Sequence, residues 1–118
     1  MKTAERIQLP EVKVTFSFNG NDVYDAATQP FKHISPWIHT MDTFDNGCIA
    51  LVVWNPENNA ELINRIITPS DILQAFSKLV ENGFSHCSGY PIQDLDNSDA
   101  CTSDLVLQQA VYGEVIWG

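Results

Sequence analysis

Residues 37–54 read WIHTMDTFDNGCIALVVW, two β-rich runs on either side of Asp45-Asn46-Gly47. An Asx-Gly pair between such runs is a strong short-range signal for a β-hairpin. The second run is apolar on both faces: Ile49, Leu51 and Val53 on one, Cys48, Ala50, Val52 and Trp54 on the other. That pattern predicts a central strand covered on both sides. Asn55–Pro56 stops it, and the run through Asn59 reads as a turn. ELINRII, 61–67, then reads as a further strand.

Upstream, Val12, Val14, Phe16 and Phe18 alternate with Lys13, Thr15, Ser17 and Asn19. Strict period two predicts a half-buried strand, ended by Asn19–Gly20. Residues 20–36 read as an irregular connection, long enough to be functional or to hold a short extra element.

Downstream, helix signals begin at Thr68. Thr68 suits the N-cap, Pro69 the first helical position and Asp71 the reciprocal place in a capping box. Ile67 and Ile72 stand where a hydrophobic staple would form. Ile72, Leu73, Ala75, Phe76, Leu79 and Val80 share one arc, and Asn82–Gly83 closes the helix. FSHCSGYP, 84–91, reads as a short strand or a loop. SDACTSDLVLQQAVYG predicts a second helix, with Asn97 or Ser98 as N-cap and Gly113 at its end. Its apolar residues wrap around much of the wheel, so it should be well covered. EVIW, 114–117, is β-prone and a candidate for a last strand. Strands followed by helices predict an α+β fold: a small, mainly antiparallel sheet of three to five strands, with two helices packed on one face. At 118 residues the chain reads as a single domain, 1–118.

Charge narrows the function. Fifteen acids against six bases give a net charge of −9. Residues 79–118 contain no Lys or Arg at all. Direct binding to nucleic-acid phosphate relies on those cations, as does basic amphipathic anchoring to a membrane, so neither is expected. A basic partner surface is compatible with such a field. No apolar run approaches the length of a membrane span, and MKTAERIQLP lacks the apolar core of a secretory signal. Cys48, Cys87 and Cys101 are odd in number and unpatterned, which fits buried thiols in a reducing cytoplasm better than disulfides.

The stretch DLDNSDACTSD, 94–104, holds Asp94, Asp96, Asp99 and Asp104. As a calcium loop starting at Asp94 it fails, because Asp99 stands where Gly is needed and Leu105 where a bidentate Glu is needed. Asp96, Asn97, Ser98 and Asp99 instead suit the electropositive start of a helix. Asp94 and Asp104 are left for a partner, with Tyr90 as an exposed aromatic anchor. His33, His39 and His86 build no metal or catalytic motif. On a strand His86 and Cys87 would point to opposite faces, so His86 is not expected to activate Cys87 readily.

No cofactor, metal or catalytic residue is implied. The expectation is a non-enzymatic, cytoplasmic protein-binding module, monomeric or homodimeric. It would contact a basic partner protein through Asp94, Asp96, Asp99, Asp104 and Tyr90. Small acidic proteins of this size include phage counter-defence inhibitors, antitoxins and toxin-immunity proteins, which cover basic nucleic-acid-binding grooves; the analogy is one of size and charge. Two other readings are a self-assembling phage or mobile-element component that uses EVIW or strand 12–18 as a sheet edge, and a small metal protein or enzyme built on His86, Cys87 and the aspartates.

Overall fold

The computed structural model describes residues 18–28, 35–85 and 89–117. Along the chain these form α1 (Gly20–Ala27), β1 (Ile38–Thr43), β2 (Ile49–Asn55), β3 (Asn58–Ile67), α2 (Pro69–Glu81), a 3₁₀ turn (Leu95–Asn97) and α3 (Ala100–Tyr112). The three strands form one antiparallel sheet in the order β1-β2-β3. The fold is α+β, and the expected strand 12–18 lies outside the described residues except for Phe18, whose ring meets the edge of Phe76 at 5.0 Å.

The hairpin closes as its turn residues require. Phe44 N–H donates to Cys48 O and Gly47 N–H to Phe44 O, both at 2.9 Å. Gly47 sits at φ 85°, the left-handed position of a three-residue hairpin loop. The Tyr24 hydroxyl of α1 donates to Gly47 O at 2.8 Å. A Cβ on Gly47 would lie 2.9 Å from Pro69 Cγ, so the turn is wedged between α1 and the start of α2.

β2 is central, but only one of its faces is fully covered. Ile49, Leu51 and Val53 are buried, whereas Ala50, Val52 and Trp54 are half-buried. The helices bury a single face of the sheet, so the expected two-sided cover is corrected. β3 starts three residues before the expected position. Asn55 Oδ1 accepts from Glu57 N–H at 2.9 Å, which tightens the reversal and lets pairing resume at Asn58.

α2 matches its sequence signals. Thr68 and Asp71 form the reciprocal capping box, with Asp71 N–H on Thr68 Oγ1 at 3.1 Å and Thr68 N–H on Asp71 Oδ2 at 2.8 Å. Ile72, Ala75, Phe76 and Leu79 are buried, and Leu73, at the margin of the arc, is exposed. α3 is covered nearly all round and buries Thr102, Ser103 and Gln108 among its apolar residues. The Ser103 hydroxyl donates to Ala27 O, tying α3 to the end of α1.

Two expectations change. The connection 20–36 contains a capped helix: Asn19, read from sequence as the end of a strand, accepts through its side chain from Asn21 N–H at 2.9 Å. Val23, Ala26 and Ala27 then face the core at helical spacing. EVIW, 114–117, forms no strand. Between α2 and the 3₁₀ turn, Ser85 bridges Pro91 and Ile92 N–H donates to Phe84 O at 2.9 Å, which seats buried Ile92 beneath the loop.

Candidate functional site

The acidic stretch divides into carboxylates used by the fold and carboxylates left at the surface. Asp99, not Asn97 or Ser98, is the N-cap of α3. Its Oδ1 accepts from Cys101 N–H at 2.9 Å and Thr102 N–H at 3.3 Å, and its own N–H donates to Thr102 Oγ1 at 3.2 Å. An Asp cap satisfies amides that the helix cannot pair and sits against its positive end. Asp94 precedes the 3₁₀ turn and accepts from Asn97 Nδ2 at 2.8 Å. Asp96, inside that turn, is exposed.

Asp104 faces inward. Trp37 Nε1 donates to its Oδ1 at 2.6 Å, and Gln108 Nε2 to its Oδ2 at 2.8 Å. Gln108 is fully buried and uses its whole hydrogen-bonding capacity. Its Nε2 also donates to Trp117 O at 2.8 Å, and its Oε1 accepts from Ile116 N–H at 2.9 Å and Trp117 N–H at 2.8 Å. The C-terminal segment is therefore held by one side chain of α3 rather than by a strand ladder. Trp117 stacks on Trp37 with centroids 6.3 Å apart and planes 10° from parallel, and Tyr112 packs against both rings. Tyr112 Oη donates to Trp54 O at 2.7 Å. Burial raises the Tyr112 pKa above the usual phenol value, and the Arg65 charge offsets part of that rise.

The open acidic feature lies elsewhere. Asp22 and Asp25 on α1 converge with Asp96, Leu95 and Ser98 on a cleft of about 350 Å³. All three carboxylates belong to exposed residues. Asp22 and Asp25 are not among the sequence candidates, because 20–36 reads in sequence as an irregular connection. The signal was present in Asn19 as a cap followed by Val23, Ala26 and Ala27 at helical spacing. Tyr90 is 45% exposed, as expected of an anchor, beside Gly89 at φ 84°.

His39 is exposed and sets its ring edge toward Trp54 at 5.8 Å. His33, His86 and Cys87 lie outside the described residues. Among the described residues no group of three or more His, Cys, Asp or Glu side chains is placed to hold a metal, and no helix is long and apolar enough to cross a membrane. Compared with protein-family models, curated proteins and solved structures, the chain matches none.

Two outcomes follow from this geometry. Gln108→Met keeps the volume but strands the Ile116 and Trp117 amides and one Asp104 oxygen. It should lower unfolding stability in urea by about 2–4 kcal/mol. Because the Tyr112 pKa is raised on folding, its contribution is intact below the unfolded phenol value and is lost as pH rises through the folded one. Stability should therefore fall above pH ~10, and Tyr112→Phe should flatten that fall while costing about 1 kcal/mol at neutral pH for the lost bond to Trp54 O. Urea melts of both proteins between neutral and alkaline pH check this.

Proposed function

We propose that this chain is a non-enzymatic acidic binding module of the inhibitor class, of the counter-defence, antitoxin or immunity type, that covers a basic, nucleic-acid-binding surface of a partner protein. The observation that carries the reading is the placement of charge. Residues 79–118 hold six acids and no Lys or Arg. The hydrogen bonds that Asp94 and Asp104 accept come from neutral amide and indole donors, and backbone amides donate to Asp99. Such bonds position a carboxylate without cancelling its charge.

The cleft of Asp22, Asp25 and Asp96 gives that field a concave focus, of a size to admit a Lys or Arg side chain. Association would begin by electrostatic steering onto a cationic surface. Tyr90 would then dock as the apolar anchor that slows dissociation. Asp94 flanks the same 3₁₀ turn as Asp96 and adds to the field. Asp99 and Asp104 contribute charge from positions fixed by the fold.

The partner can be captured from the native host at low salt, identified by mass spectrometry, and used for kinetics. Raising ionic strength from about 0.05 to 0.5 M should slow association roughly tenfold or more. The triple variant Asp22→Asn/Asp25→Asn/Asp96→Asn should slow it severalfold at low salt and leave the melting temperature within about 2 °C of the parent. Tyr90→Ala should act on the dissociation rate. An affinity indifferent to salt and to the triple variant would remove this function.

A further inference from the structure

Among the described residues β3 is an edge strand: it pairs with β2 on one side and with no strand on the other. It is ten residues long, with Ile66 70% and Leu62 40% exposed. A long exposed edge offers a row of backbone N–H and C=O groups to any further strand unless proline, a bulge or repelling charge guards it. β3 has no proline, its register with β2 is irregular between Asn58 and Leu62 and regular from Leu62 to Ile67, and its two charged residues, Glu61 and Arg65, are opposite in sign.

The direction in which each residue of β3 turns its backbone can be read from β2. Trp54 N–H donates to Trp37 O and Cys48 O accepts from Phe44 N–H, so the even-numbered residues of β2 turn toward β1. The odd-numbered ones, Ile49, Leu51 and Val53, turn toward β3, where they meet Ile67, Arg65 and Ile63. Leu62, Asn64 and Ile66 therefore present their backbone groups to the free edge. A two-fold antiparallel contact must pair these outward residues with one another, so its axis passes through a residue position.

Few positions remain. An axis at Glu61 opposes two carboxylates, and one at Arg65 opposes two guanidinium groups. An axis at Leu62 sets Glu61 against Ile63 of the other copy, and one at Asn64 sets Arg65 against it. An axis at Ile63 places Glu61 opposite Arg65 of the other copy, twice. Both are non-hydrogen-bonded pairs, in which side chains approach most closely. Leu62 then lies opposite Asn64, which covers part of its exposed side chain; Ala60, whose N–H donates to Asn58 Oδ1 at 3.1 Å, lies in the irregular stretch before Leu62 and adds no ladder pair. Glu61 and Arg65 are both exposed; Glu61 accepts from Asn55 Nδ2 at 3.5 Å, and Arg65 Nη1 donates to Asn64 O at 3.1 Å.

We propose that the free edge of β3 is a self-association surface, on which a second copy of this chain pairs antiparallel about Ile63 and joins the two sheets into one, with reciprocal Glu61–Arg65 ion pairs setting the register. A second copy fits because it supplies the same acid–base spacing in reverse. The edge is distinct from the acidic cleft, and the proposal does not rest on the function given above.

Sedimentation velocity of the full chain across a micromolar concentration series tests it. The mass should rise from 13.2 kDa toward twice that value. Glu61→Arg and Arg65→Glu should each weaken dimerisation about tenfold or more, since each turns two attractions into two repulsions. Glu61→Arg combined with Arg65→Glu should recover it to within about threefold. Asn64→Pro, which removes an outward N–H and no bond to β2, should give a folded monomer by circular dichroism and mass. A monomer at every concentration, or a dimer indifferent to the single reversals or not recovered by their combination, overturns the proposal.

Discussion

Gln108 is the residue on which the tertiary arrangement turns. It is fully buried, and its amide joins three parts of the chain that share no ladder: α3 itself, the C-terminal segment through Ile116 and Trp117, and the entry to β1 through Asp104 and Trp37. An amide in that place must find four partners or leave polar atoms unpaired in a low-dielectric setting, where each costs about 1–3 kcal/mol. Here all four are present. The stacked rings of Trp37 and Trp117, with Tyr112 against them, exclude water from the same bonds.

This arrangement also answers a constraint of composition. The last forty residues contain no cation. Asp104 is drawn inward there and takes neutral donors, an indole and an amide. Asp99 takes backbone amides, and Asp94 takes a neighbouring Asn. Internal structure and external charge are thereby kept together. The same aspartates that organise α3 still contribute to the negative field that the proposed function uses.

Local signals were legible in the sequence; long-range ones were not. Thr68, Pro69 and Asp71 specify the start of α2 by chemistry confined to four residues, and the structure has that cap. Asp45-Asn46-Gly47 specifies the first hairpin in the same way. α1 was hidden because Asn19–Gly20 ends a strand as readily as it caps a helix, and eight residues give little periodicity. EVIW has strand composition, but its amides are taken by Gln108 from the preceding helix, which no local pattern encodes. Asp104 is the sharpest case. Its sequence context says acidic and solvated, yet its partner Trp37 is sixty-seven residues away. The acidic cleft was unreadable for the same reason, since Asp22 and Asp25 meet Asp96 only after α1 packs against the 3₁₀ turn.

The account stands on Gln108 holding the C-terminal segment and Asp104 as one closed network. Native-state hydrogen exchange reads this directly, because Ile116 and Trp117 lie outside any helix or strand and have no other reason to be slow. The prediction is that the Ile116 and Trp117 amides and the Trp37 indole N–H exchange about a thousandfold or more slower than an unstructured chain, in step with the core of α3. Exchange of these three protons at the free-chain rate, with α3 still protected, would contradict it.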